Sequence, residues 1–226
     1  IRRTAGLGKP PREFKSKSTH LYNNVDILIV GGGLSGLLAA KKLAGTNKDV
    51  LLIERENELG GILKNSNKVK SINDQEALEW LEKTERLLKN SANIKILKNT
   101  TVTTYNYSNH LTAIEDRSVG IEPDNKKPEL VLHKIRTENT ILANGHIERF
   151  LSFRNNDLPG VMLAASFEKY IQRYDVVPDN NPVIFTNNSS TYSLLKLLID
   201  RNCIPRAYVD VRAVSYTHLR AHETPI

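Results

Sequence analysis

Val25-Asp26-Ile27-Leu28-Ile29-Val30-Gly31-Gly32-Gly33-Leu34-Ser35-Gly36 is the stretch whose reading decides the fold. Its first six residues are β-rich and mostly apolar, without the polar alternation of a half-solvated strand, and so suit a central parallel strand. Glycines follow at once, and Leu34 to Leu43 then has the composition of a short apolar helix. Asp49-Val50-Leu51-Leu52-Ile53-Glu54 reads as a second buried strand. Strand, tight turn, helix and strand within about 30 residues make a βαβ unit.

The glycines at 31, 33 and 36 satisfy GxGxxG in the required setting, with a strand before and a helix after. Gly31 permits the tight turn out of the strand. Gly33 lets backbone approach a pyrophosphate, and Gly36 lets the helix pack closely on the strand. Leu34 and Ser35 open that helix, whose free N–H groups and positive dipole end face the phosphates. Glu54 stands 18 residues past Gly36 at the end of the second strand, where a carboxylate accepts from the ribose hydroxyls of an adenine dinucleotide. A bare acid at a strand end can also be a plain solvated charge. Glu58-Leu59-Gly60-Gly61 follows, in the E…GG arrangement seen after this strand in flavoproteins, and Gly61 again allows backbone close to a cofactor. Ile141-Leu142-Ala143-Asn144-Gly145 is similar to the ATG segment that returns to the first sheet beside the cofactor, with Asn144 in place of threonine. Gly145 therefore joins the candidate site.

Farther out, Asn73 is expected to cap a helix, with Glu76 as its capping-box partner and Ala77 or Trp80, Leu78, Leu81 and Leu88 as the inner stripe. Short strands are expected at Ile94–Leu97, Thr101–Tyr107 and Leu130–Ile135, with a polar turn at Asp124–Pro128. After Gly160 a helix runs to about Tyr174. A second β-α-β pattern follows at Val183–Thr186, Tyr192–Arg201 and Arg206–Val211, but Phe185-Thr186-Asn187-Asn188-Ser189-Ser190 holds no glycine loop. The expected class is α/β: a Rossmann-like FAD/NAD(P)-binding fold with two interleaved βαβ units and a small β insertion. Expected divisions are a basic linker over 1–23, a first dinucleotide-binding half over 24–110, the β insertion and return to the first Rossmann sheet over 111–160, and the start of a second βαβ domain over 161–212.

Composition narrows the function classes. With 39% hydrophobic and 25% charged residues, the 226-residue chain has an ordinary globular composition. No run approaches the roughly 18 apolar residues of a membrane span. Most of the net charge of +7 comes from Arg2, Arg3, Lys9, Arg12, Lys15 and Lys17 in a Pro-containing lead segment. That pattern fits a solvated linker better than a nucleic-acid surface. A single cysteine, Cys203, excludes an internal disulfide or CxxC pair and reads as a buried small hydrophobe, in keeping with a cytoplasmic protein. No metal cluster and no catalytic constellation is visible. His146 and Glu148 follow Gly145 and read as loop residues.

Both ends read as unnatural. The chain opens on Ile1, and Val214 to Thr224 resembles a translated sequencing adapter, so residues 213–226, with His218 and His222, are expected to be an artefact tail.

Taken together, several stretches make the chain similar to the alpha subunits of heterotetrameric sarcosine oxidases. They are Ile1 to Gly8, the GGGLSG loop, Glu54-Arg55-Glu56 with ELGG, Ala143 to Arg149, Asn155 to Ala164, Phe185 to Asn188 and Val209 to Arg212. Related opine-oxidase and cyanide-synthase subunits share much of this pattern. The resemblance implies an oxidoreductase complex acting on CH–NH donors. It would convert sarcosine, oxygen and tetrahydrofolate into glycine, hydrogen peroxide and methylenetetrahydrofolate. It further implies NAD in this subunit, FAD and FMN elsewhere in the complex, and beta, gamma and delta partner subunits. By position, Gly31, Gly33, Ser35, Glu54, Arg55, Glu56, Ile62 and Thr101 or Val102 would line the NAD site. Ser35 for alanine, Asn144 for threonine and Phe150 for proline depart from the family pattern. Two other readings compete: a free-standing FAD-dependent pyridine-nucleotide oxidoreductase, and a non-catalytic dinucleotide-binding assembly subunit.

Overall fold

The computed structural model describes residues 18–66, 68–118 and 129–212. The lead segment, the Asp124–Pro128 turn and the adapter-like tail lie outside the described residues. From the N-terminal side the elements are β1 (Ser18–Val30), α1 (Leu34–Leu43), β2 (Val50–Ile53), α2 (Ile62–Asn65), β3 (Ser71–Ile72) and β4 (Gln75–Glu76). Next come α3 (Ala77–Asn90), β5 (Ile94–Leu97), β6 (Thr100–Asn106), β7 (His110–Asp116) and β8 (Leu130–Leu142). The last are α4 (Ala164–Tyr174), β9 (Val183–Thr186), α5 (Tyr192–Asp200) and β10 (Ala207–Asp210). The chain divides into two compact units. One runs through Leu59 and resumes over Glu85–Asn144; the other joins Gly60–Thr84 to the chain from Gly145 onward. In this division strands β6, β7 and β8 fall in the first unit, and the segment from α2 into α3 falls in the other.

The first unit holds a six-stranded sheet in the order β5-β2-β1-β8-β7-β6. The first four strands are parallel, and β7 and β6 complete it antiparallel. Leu28, Ile29, Leu51 and Leu52 are all fully buried, which is why the sequence there shows no alternation. Val25 and Leu28 reach the same core cluster although they are three residues apart. The in–out alternation of β1 is therefore broken between them.

Three elements differ from the sequence reading. β1 begins at Ser18, inside the stretch expected to be linker, because Ser18 to Asn24 pair residue by residue with Leu130 to Arg136. Those residues are too polar to announce a strand, and their partner lies more than a hundred positions away. β8 runs without a break through Leu142, and β7, which the sequence reading did not assign, lies against it. α3 begins at Ala77, not after Asn73. Asn73 and Asp74 have φ of 48° and 61° and turn the tight β3–β4 hairpin. Glu76 does the capping instead, accepting from the N–H groups of Leu78 at 3.4 Å and Glu79 at 3.2 Å. The later start moves the buried face to Ala77, Trp80, Leu81, Thr84 and Leu88 and leaves Leu78 46% exposed.

In the second unit β9 and β10 pair in parallel, and Phe167, Ile171, Ile184, Leu194, Leu197, Leu198 and Cys203 form its core. Cys203 is buried, as its sequence reading expected.

Candidate dinucleotide site

Each glycine of the loop meets a different constraint. Gly31 has φ +107°, and a Cβ there would lie 2.3 Å from the Ala143 carbonyl oxygen. Only glycine lets the chain leave β1 against the end of β8, where the Ala143 N–H donates to Val30 O at 2.8 Å. A Cβ on Gly36 would lie 1.8 Å from the Gly31 oxygen and 3.4 Å from Ile29 Cγ2, so the first turn of α1 rests on the loop and strand below it. Gly33 is the opposite case. Its φ is −77°, and a Cβ there would meet nothing within 4 Å. The space over Gly33 is open, directly before the N-terminus of α1. That terminus has no side-chain cap and no acidic residue in its first turn. Leu34 and Ser35 supply the first N–H groups of the helix.

Glu54 closes the site on the β2 side. Its Oε2 accepts from the Gly32 N–H at 2.6 Å and its Oε1 from the Glu56 N–H at 2.8 Å. An ionised carboxylate offers about four lone-pair sites. Each oxygen therefore keeps one acceptor position, a match for two neighbouring ribose hydroxyls. The Arg55 guanidinium turns to Glu56, with Nη2 3.4 Å from its Oε1.

Gly32, the first variable position of the motif, received no role from the sequence. A Cβ on it would lie 2.5 Å from Leu59 Cδ2 and 3.0 Å from Glu54 Oε2. Buried Leu59, from the ELGG stretch, thus packs against the loop and would have to shift for any side chain at 32. Nothing in the motif spacing signals this contact.

The other candidates divide. Asn99 and Thr100 donate their N–H groups to Glu56 O at 3.1 Å and Glu54 O at 2.9 Å, clasping the start of β6 to the end of β2. That brings Thr101, which is exposed, and Val102, which packs on the core, to the Glu54 edge. Gly61, Ile62 and Gly145 belong to the second unit. Gly61 (φ 51°) precedes α2, Ile62 begins it with an exposed side chain, and Gly145 (φ 70°) lies in open chain. His146 is exposed, and Glu148 Oε2 accepts from the Ala165 N–H at 2.8 Å, at the start of α4.

The second βαβ unit lacks this architecture. After β9, Asn188 Oδ1 accepts from the Ser190 N–H at 2.8 Å and Thr186 Oγ1 donates to Asn188 O at 2.9 Å, so the loop's polar groups serve each other. Asp210, at the strand end where a ribose reader would stand, is held by Arg212, whose Nε lies 3.0 Å from both carboxylate oxygens. The hydrogen bonds from Arg212 keep the Asp210 carboxyl below its ordinary pKa. No group of three or more metal-ligating side chains occurs among the described residues.

A family model described as an NAD(P)-binding Rossmann-like domain matches residues 29–80, from the end of β1 into α3. The chain is 32% identical over 214 residues to the sarcosine oxidase subunit alpha of Rhizobium meliloti (strain 1021), covering 94% of this chain and 22% of that one. This chain resembles sarcosine oxidase alpha subunits. That of Corynebacterium sp. (strain P-1) is 32% identical over 179 residues, or 78% of this chain and 18% of its own length. The chain thus spans about a fifth of these alpha subunits. L-Proline dehydrogenase from P. horikoshii shares the fold, with a TM-score of 0.65 at 21% identity over 88% of this chain and 37% of that one. No helix among the described residues is long and apolar enough to cross a membrane.

Proposed function

We propose that this chain is the NAD-binding part of the alpha subunit of a sarcosine oxidase-like complex. The observation that carries the reading is the pairing of the open cradle at Gly33 with the Glu54 carboxylate at the carboxyl ends of the adjacent strands β1 and β2. A diphosphate fits the cradle against the first N–H groups of α1, and a ribose fits the acceptor positions left on Glu54. Gly31, Gly33, Leu34, Ser35 and Gly36 would hold the phosphates, Glu54 the ribose, and Thr101 and Val102 would flank the adenine. Arg55 and Glu56 close the mouth beside Glu54. Gly61 and Gly145 are proposed for cofactor contact on their motifs, and Ile62 on the family resemblance.

On the family resemblance, the amine chemistry is assigned to a partner subunit. NAD supplies hydride-transfer capacity when bound; the role of this chain is to bind and orient it. The complex would oxidise sarcosine with oxygen and tetrahydrofolate, with FAD and FMN held outside this chain and beta, gamma and delta subunits as partners. A free-standing flavin reductase would need a second nucleotide loop, and the self-satisfied loop after β9 weighs against one.

Titrating NAD and FAD into the purified full-length chain, with visible absorbance recorded, tests the proposal. A colourless chain that binds NAD is expected. Stoichiometric yellow flavin in the glycine-loop site would overturn the NAD assignment.

A further inference from the structure

One face of the sheet has no part in nucleotide binding. Over the N-terminal half of β1, all of β7 and the first half of β8, Leu111, Ala113, Val131, His133 and Ile135 turn into the core, and the alternate residues turn away from it. The register sets these outward residues in rows. His20 stands beside Leu132 and Ile114, Tyr22 beside Lys134 and Thr112, and Asn24 beside Arg136 and His110. The β6–β7 hairpin tip turns on Ser108 and Asn109, both left-handed, and Asn109 Nδ2 donates to Glu138 O at 2.8 Å. That tether sets Tyr107 as one wall of an open cleft of about 550 Å³. Tyr22 forms the facing wall, with the Lys134 ammonium 5.3 Å from its ring centre. Lys134, Arg136 and His110 line the cleft, and among the described residues no carboxylate does. Tyr22 is 73% exposed and Tyr107 97%.

We infer that this face docks a separate polypeptide chain through a surface presenting Asp or Glu side chains among apolar ones. Tyrosine and arginine are the residue types that anchor protein interfaces. Here they adjoin an apolar row, Leu132 and Ile114, that a partner would cover. The charged side chains that line this cleft, Lys134 and Arg136, are cationic, so the complementary surface is acidic. Lys134 and Arg136 are spaced along one strand at about 7 Å, two residues apart, and do not converge on a point as they would for a single phosphate. A nucleic-acid backbone fits less well. Asp26, Asp49 and Glu138 line the adjoining cleft beside Asn24 and Arg136 and cut the cationic row short. The inference rests on the multi-subunit reading above.

Carbodiimide cross-linking of the complex, purified with its full-length chain from its native source, tests it. The reagent condenses an amine with a carboxylate to an amide, with loss of water, so peptide mass spectrometry reads the neighbour of Lys134 directly. Lys134 joined to an Asp or Glu of a different chain is the expected result. The paired substitution Lys134→Glu and Arg136→Glu should weaken that association at least tenfold while changing NAD affinity less than twofold. A link to a carboxylate of the same chain or of a second copy would overturn the inference. So would nucleic acid that co-purifies with the unaltered chain and is lost in the double variant. An intact complex with Lys134 unlinked overturns this inference alone; a chain that purifies without any partner overturns the multi-subunit reading as well.

Discussion

At Gly36 an added methyl group would meet backbone oxygen 1.8 Å away, a collision that no side-chain movement relieves. Gly36→Ala should therefore destabilise the chain by about 3 kcal/mol, the upper part of the usual range for overpacking, measured by urea unfolding. Glu54 governs a different property. Its carboxylate, placed to accept from the ribose 2′-hydroxyl, would face the 2′-phosphate of NADP as a like charge. At a separation near 4 Å that repulsion is roughly 1 to 4 kcal/mol between bulk-water and near-surface screening. NAD should accordingly bind about five- to nearly a thousandfold more tightly than NADP. Arg55 could have reversed the preference by pairing with the phosphate, but its guanidinium is turned to Glu56. Glu54→Gln keeps an acceptor oxygen and removes the charge, so it should narrow the NAD–NADP gap at least about fivefold in parallel titrations. Equal affinities in the unaltered chain would remove Glu54 from this role.

At the scale of single elements, α3 offers a contrast between neighbours. Leu81→Ala should cost about 2 to 5 kcal/mol and Leu78→Ser well under 1, since only Leu81 is buried. Strands β7 and β8 carry a pH-sensitive contact. Burial pushes the Glu115 carboxyl up, but hydrogen bonds from Arg117 and His133, both at 2.9 Å, outweigh it and hold its pKa below the ordinary 4.5. With Asn23 donating to His133 Nδ1, the Nε2 proton points at Glu115. A carboxyl whose folded pKa is depressed stabilises the fold above its unfolded value and loses that contribution as pH falls through the folded one. Unfolding free energy should therefore drop between pH 5 and 3 more steeply in the unaltered chain than in Glu115→Gln; parallel slopes would contradict the assignment. These same elements mark where sequence stops being informative. β2, α1, β9 and α5 were legible because each carries its own apolar pattern. β7 and the polar half of β1 were not, because their strand character comes from β8, which pairs with both. Asn73 misled for a local reason: the Asn-Asp pair that resembles a helix cap is equally suited to the left-handed turn it makes. In the site, the glycine spacing and Glu54 could be read directly, whereas the Leu59 contact beside Gly32 exists only after folding.

For the whole molecule, the division of labour is the main consequence. On the proposed reading, which gives the amine chemistry to a partner subunit, the full-length chain without partners should release no hydrogen peroxide from sarcosine. Peroxide from the isolated chain, followed by a coupled peroxidase assay, would place the amine chemistry here after all. The account stands most directly on whether a dinucleotide occupies the cradle above Gly33. A methyl group there meets no protein atom within 4 Å, so Gly33→Ala should fold as the unaltered chain does, within about 0.5 kcal/mol. It should still intrude on the diphosphate. Calorimetric titration of NAD into the full-length chain and into Gly33→Ala separates the possibilities. The account predicts one site in the unaltered chain and at least a tenfold weaker one in the variant at unchanged stability. Undiminished NAD affinity in a correctly folded Gly33→Ala would contradict it.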